Sequence, residues 1–461
     1  MPPLPVPHHR LVPRSWNIRA ASLSVIVVSL QFGLAQAGGA QSPTIPSLSV
    51  EERILGLSQI WQEVNRSFAF KTRLAFDVDS AYRESLTRVI AARDTYEYYR
   101  ELQRFTAALH DGHSGVSFPS SMASERTYPW LLTRWIDGHL VISNSGRALA
   151  STFPAWTEIL TIDGRPATEY LAAEVLPYTP ASTEHWRWAA GARDALDGRA
   201  RDAVHLTFQR PNGTRGDTTL ARDRRTRNDS WAMPTELPRL ELRWLRDSVA
   251  HVLLHTFGSD SIKQEFVALI PTLRRARGLI LDVRGNGGGN SGNGWDILAH
   301  LTKDTLPLQA WRTRLYNAAY RGWNRPGFGA DSAFTPFDTT GAYPPYADPL
   351  TVPTVILQDH ETFSAAEDFL VAADEIPRLV TMGQPSGGST GNPVFWKLPG
   401  GGFARIVSKH DRYRDGREFV GVGVQPKHVL PSLTLADVRA GRDPMIDEAL
   451  ATLRQRPATK D

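Results

Sequence analysis

The sequence contains no cysteine among its 461 residues, which excludes disulfides, thiolate metal sites and a thiol nucleophile and leaves the redox compartment unread. It also lacks a dominant charge. Its 52 basic residues stand against 48 acidic ones, a formal net charge of +4, and the basic side chains are dispersed instead of gathered into one tract. No electrostatic footprint for nucleic acid results, so none is expected as a partner. A third absence is a long apolar run: the stretch from Ala20 to Leu34 is about 15 residues, short of the roughly 20 that a membrane-spanning helix needs. It follows Arg10, Arg14 and Arg19 and precedes Ala35-Gln36-Ala37, the charged, apolar and small-residue order of an export signal. The expectation is a signal peptide over 1–37 with no stable membrane span once it is removed, a retained anchor being the alternative. A linker rich in Gly, Ser and Pro follows over 38–48.

What is present is an ordinary globular composition, 41% apolar and 22% charged with 13 Trp and 18 Phe, long enough for two or three domains. Chemistry must come from hydroxyls, imidazoles, carboxylates or lysines, and no cofactor or metal is expected.

From Val50 to about Leu109 the pattern is helical, with Tyr98, Leu102, Phe105 and Leu109 on one face at i, i+4, i+7 and i+11. It stops at His110-Asp111-Gly112-His113-Ser114, where Asp and Gly favour a turn, so His113 sits on a loop just after a helix. This gives an N-terminal helical domain over 49–125. A β-rich subdomain over 128–222 follows, with strands at Leu140–Ser143, Glu158–Ile162 and the alternating Val204, Leu206, Phe208, and a helical insertion around Thr183–Leu196. Ile159-Leu160-Thr161-Ile162-Asp163-Gly164 resembles the strand and turn of a PDZ domain. From 236 to 450 strands and helices alternate in an α/β manner, with buried strands at Gly278–Val283 and Val352–Leu357. Between them the aromatic and Gly/Pro-rich stretch Pro307–Pro349 reads as a lid or binding wall.

Two turns carry the chemistry. Asp282-Val283-Arg284-Gly285-Asn286-Gly287-Gly288-Gly289 closes the first strand ahead of a helix expected from Gly294, and its glycines let amides converge on an anion. The run lacks the Lys of a nucleotide-binding loop, and an oxyanion hole fits it better. The second turn, His360-Glu361-Thr362-Phe363-Ser364-Ala365-Ala366-Glu367, puts Ser364 at a strand-to-helix junction with the Ala365 amide beside it. On its own such a serine is far more often a helix cap.

Leu279 through Gly289, the Ser364-Ala365-Ala366-Glu367 helix start and Gly421-Val422-Gly423-Val424-Gln425-Pro426 together resemble the tail-specific and tricorn serine peptidases. The segment from Ile60-Trp61 through Tyr96–Tyr99 to Asp111-Gly112-His113 resembles the N-terminal part of the tricorn-like branch, so the likeness covers most of residues 50–432. It implies an α/β catalytic domain of crotonase-like type with the helical domain and PDZ-like β subdomain appended. It also implies a peptidase with Ser364 as nucleophile. The Ser/Lys branch carries a Lys about 25 residues later, but Gly383–Gly391 here contains none, and the tricorn-like branch supplies a histidine, which matches His113. The oxyanion hole is then Gly287 or Gly288 with Ala365. Glu418 is the closest counterpart of the family's late carboxylate, with Asp111, Asp415 and Ser389 as other candidates for orienting the imidazole; Lys397 and Lys409 are outside candidates for the base. The expected partners are polypeptides and the expected location is periplasmic or extracellular. The rival reading is a non-catalytic binder of hydrophobic ligands or peptides on the same fold.

Overall fold

The computed structural model describes residues 47–224, 229–323 and 333–455; the expected signal peptide and all but the last two residues of the linker lie outside the described residues. Three helices, Val50–Ser67, Val78–Ala91 and Thr95–Ala107, open the described chain. Each begins at a side chain suited to accept the free amides of a first turn: Ser49 in a reciprocal capping box with Glu52, then Asp77 and Asp94. The third helix buries Tyr98, Tyr99, Leu102 and Phe105. The Tyr99 hydroxyl donates to the Pro399 carbonyl at 2.7 Å and accepts from the Gly402 amide at 2.8 Å, tying this layer to the C-terminal half.

The central module is an antiparallel sheet in the order Leu131–Ile136, His139–Ser145, Thr157–Ile162, Ala203–Gln209, Arg215–Ala221. Period-two alternation buries Val204, Leu206 and Phe208 in a core of its own with Leu140, Ile142 and Ile159. Asp163 and Gly164 have φ of 49° and 79°, the left-handed pair of a tight turn that folds Arg165–Pro166 back on the preceding strand. Helix Glu184–Arg193, capped by Thr183, packs on strand Leu131–Ile136.

The C-terminal half is built on a six-stranded sheet in the order Leu240–Trp244, Val249–Leu254, Gly278–Asp282, Thr354–Gln358, Val380–Gly383, His428–Val429. Its first pair is antiparallel and the rest are parallel. Parallel strands are covered on both faces, hence the unbroken apolar runs. Leu279, Leu281 and Ile356 face helices Ser261–Leu273, Ser291–Ala299 and Ala365–Asp374, while Ile280, Val355 and Leu357 face the C-terminal helix Pro444–Gln455. The helix expected from Gly294 starts three residues earlier, at Ser291, because Asn290 caps it. Asp282, the polar residue of its strand, is buried, which pushes its carboxyl up; Arg284 at 2.7 Å and His251 at 2.9 Å outweigh that and lower it. Within the stretch 307–349, the Tyr343 and Tyr346 hydroxyls donate to Asp296 at 2.9 and 2.8 Å and Tyr346 stacks on His300, so this portion is packed onto helix Ser291–Ala299.

Three loops leave the carboxyl ends of neighbouring parallel strands, 283–290, 359–364 and 384–391, which is where open α/β sheets form their sites. A small antiparallel sheet, Gly115–Ser117 with Phe403–Val407 and Pro393–Lys397, brings the loop after the third helix to the same place.

Candidate active site

Ser364 links strand Thr354–Gln358 to helix Ala365–Asp374 with φ 59° and ψ −126°, a conformation that costs a non-glycine residue about 1–3 kcal/mol. Its surroundings hold it there. The Phe363 amide donates to Asn286 O at 2.9 Å, and the Ser364 amide donates to both Ser389 O at 3.1 Å and Glu367 Oε2 at 3.0 Å. Its hydroxyl lies 2.9 Å from His113 Nε2.

The His113 loop is held by two short side chains, one its own and one from the β module: Asp111 Oδ1 accepts the His113 amide at 3.0 Å, and the Gly112 amide donates to Ser182 Oγ at 3.0 Å. Gly112 lets the loop come close, since a Cβ there would meet the Phe363 ring at 2.9 Å and Ser389 Oγ at 3.1 Å. The imidazole stacks on Phe363, with centroids 4.8 Å apart, and Phe363 stacks on Trp186 at 4.1 Å. His113 Nδ1 lies 2.8 Å from Ser389 Oγ. Burial, with the Arg405 charge adding to it, drives the ring down to about 3, so at neutral pH it is uncharged. A neutral ring with its proton on Nδ1, donated to Ser389, turns the Nε2 lone pair toward the serine hydroxyl.

Beneath both partners lies Glu367, fully buried. Its carboxylate accepts from the amides of Ser364, Gly388 at 2.7 Å and Ser389 at 2.8 Å, and from the Ser386 hydroxyl. Burial outweighs the pull of those hydrogen bonds and raises it to about 8. Four groups donating to one carboxylate is the arrangement of its ionised form.

The Gly288 amide donates to Asn286 Oδ1 at 2.9 Å, so the expectation that it could serve as an oxyanion donor is corrected: that N–H is already engaged. Gly288 contributes space instead. At φ 94°, a Cβ on it would lie 2.7 Å from Phe363 O and Ser364 Cβ and 2.8 Å from the Ala365 nitrogen. The amides of Gly287 and Ala365 have no acceptor among the described residues.

Glu418 is also corrected as the group orienting the imidazole. Its carboxylate accepts from His410 Nε2 at 2.8 Å and pairs with Arg73 at 3.1 Å, while both His113 nitrogens are taken by serines. Of the other candidates, Asp415 pairs with Arg417 at 2.7 Å, Asp111 serves the His113 backbone, and Ser389 touches the ring. Lys409 pairs with Asp411 at 2.9 Å and Lys397 is exposed. The sequence reading assigned nothing to Glu367, Phe363 or Arg405. For Glu367 the signal was available, since Ser364-Ala365-Ala366-Glu367 has the spacing of a capping box, in which the glutamate reaches back to the amide of the capping residue.

Fold and site together define a serine-type peptidase with a mixed α/β domain. Residues 248–430 match the model of peptidase family S41. Among solved structures, mature CPAF is similar with a TM-score of 0.71 at 17% identity, covering 88% of this chain and 98% of that one. Mature CPAF complexed with lactacystin gives 0.70 at 16% over 88% and 98%. A putative peptidase from Parabacteroides merdae ATCC 43184 gives 0.51 at 17% over 88% and 97%. At these identities the likeness speaks for the fold. No curated protein matches the chain by sequence.

Proposed function

We propose that the chain hydrolyses peptide bonds in exported polypeptides through an acyl-enzyme on Ser364, with His113 as general base and Ser389, in place of Glu418, orienting the imidazole. The observation that carries this is the 2.9 Å contact between a neutral, buried imidazole and a serine hydroxyl held in a strained turn beside two amides without acceptors. Ser364 Oγ attacks the carbonyl carbon as Nε2 takes the hydroxyl proton, and the Gly287 and Ala365 N–H groups stabilise the oxyanion. The C–N bond then breaks, Nε2 returns the proton to the leaving amine, and water releases the acyl group by the same route.

The catalytic half is read as crotonase-like and the antiparallel module as PDZ-like, a surface for the end of a peptide or an added strand. A periplasmic or extracellular location rests on the residues 1–37; among the described residues no helix is long and apolar enough to cross a membrane. The test is peptide-library cleavage read by mass spectrometry, with fluorophosphonate labelling of the same preparations. Wild type should cut and label, while Ser364→Ala does neither and His113→Ala nearly neither, both remaining folded. An unlabelled Ser364 in folded wild-type protein would establish the non-catalytic binder instead, and full activity in His113→Ala would move the base role to a lysine.

A further inference from the structure

The sheet that carries the His113 loop presents a second feature to the site. Gly115, Arg405 and Phe395 are paired across its three strands, as are Ser117, Phe403 and Lys397, so Arg405, Phe395 and Phe403 share one face. Phe395 and Phe403 are 54% and 45% exposed, large apolar surfaces left open on either side of a cation. The Arg405 guanidinium reaches the Gly112 carbonyl at 3.3 Å, one residue from the base. Among the described residues no carboxylate lies within ion-pair distance of it. The opposite charge acting on it is Asp111, which spends Oδ1 on the His113 amide.

This placement is costly. Burial works against the charge on Arg405, and that charge works against the imidazolium that His113 must become during turnover. An aliphatic side chain would fill the same space without either cost, unless an anion arrives with the substrate. We propose that Arg405, between Phe395 and Phe403, forms a subsite for a carboxylate carried on the substrate close to the scissile bond, next to an apolar side chain. The inference rests on the peptidase reading above. The carboxylate comes either from the free C-terminus of the chain being cut or from an Asp or Glu side chain. Either source pairs with the guanidinium and offsets its charge as the ring takes up its proton, so the preference falls in kcat as well as KM.

The experiment uses matched peptides: C-terminal acid against C-terminal amide, and internal Glu against Gln at the two positions on each side of the cut. In wild type one of these pairs should differ in kcat/KM by about ten- to a hundredfold, the worth of a charge-assisted hydrogen bond. Arg405→Met should bring that ratio to about one, and Arg405→Lys should retain part of it. A second arm is independent of turnover: Ser364→Ala protein should bind the fluorescein-labelled acid more tightly than the amide, and the double variant with Arg405→Met should bind them alike. Ratios near one in wild type, or a preference that survives in Arg405→Met, overturn the subsite. If no peptide is cut and Ser364 is not labelled, the peptidase reading fails by itself, while the binding arm still decides the carboxylate.

Discussion

Adding one methyl group at Gly288 tests the oxyanion reading directly. The Cβ of Gly288→Ala would lie 2.7 Å from Phe363 O, 2.7 Å from Ser364 Cβ and 2.8 Å from the Ala365 nitrogen. Carbon contacts settle at about 3.5 Å or more. Two of the three opposing atoms are backbone and the third belongs to the nucleophile, so no flexible side chain can swing away. Either the turn or Ser364 must shift by roughly 0.7 Å, and the methyl occupies space next to the Ala365 amide that a carbonyl oxygen needs. Losing one donor in such a hole costs about 10²- to 10³-fold in kcat, and that loss is expected here. The left-handed φ of 94° adds about 1–2 kcal/mol of backbone strain, lowering the Tm without bearing on chemistry. Gly138→Ala separates the two effects: φ there is 85° and nothing lies within 4 Å of the added carbon. It should lose a comparable amount of stability and keep full peptide hydrolysis. The assay is kcat/KM on one cleaved peptide, the fluorophosphonate labelling rate, and the Tm of both variants. Activity of Gly288→Ala within about threefold of wild type would refute the placement of the hole.

The corrected orienting group is tested by a contrast, since Ser389→Ala leaves a buried Nδ1–H without an acceptor and should cost about ten- to a hundredfold in kcat/KM, whereas Glu418→Gln should stay within about threefold. Glu367→Gln sets an NH₂ against donors that need acceptors; a Tm loss matching about 3 kcal/mol or more, with slower labelling of Ser364, is the expected outcome, and an unchanged Tm would remove Glu367 from its supporting role. The pH profile follows from His113: its neutral form is the active one, and burial holds the folded pKa near 3, below the ordinary 6.5. The labelling rate should therefore stay flat from pH 7 to about 5, and a midpoint near 6.5 would contradict the burial argument. Stability runs with the same sign: below 6.5 the unfolded chain takes a proton that the folded ring refuses, so His113 contributes a loss that grows with acidity.

The parts of the site that the sequence made legible are those whose chemistry is local. A glycine run after an apolar strand and a serine at a strand-to-helix junction follow from turn and capping preferences, and the helical stripe of Tyr98, Leu102 and Phe105 follows from periodicity. What stayed hidden depends on who meets whom. Glu418 was chosen for its place ahead of Gly421–Pro426, but that phrase works through backbone: the Val424 amide donates to Ser386 Oγ at 2.7 Å, and Ser386 and Gly388 in turn hold Glu367. Gly423 is a glycine because a Cβ would lie 2.4 Å from Ser386 O. Nothing in spacing tells a carboxylate that serves this loop from one that binds His410; only the pairing partners do. Gly288 was misread for a similar reason, since which amide of a glycine run is free depends on the Asn286 side chain folding back on it.

The site is also not a property of the segment 248–430 alone. That segment supplies Ser364, Glu367, Ser389 and the glycine turn, but the proposed base comes from residue 113, and the Phe363 ring stacked on it is itself held from the β module. Trp186 stacks on Phe363, His185 Nε2 lies 2.6 Å from Ser386 O, Thr183 Oγ1 donates to Gly387 O at 2.8 Å, and Arg134 and Arg193 both reach the buried Glu361 beside the nucleophile turn. Glu361 is buried, which raises its carboxyl, yet the two guanidinium groups bring it down to about 2, so the carboxylate stays charged and paired across the junction. A displacement of the β module by an ångström is therefore transmitted to Phe363, and through it to the angle at which His113 faces Ser364. Removing the module should therefore abolish peptide hydrolysis and fluorophosphonate labelling, even though every residue of the nucleophile turn remains.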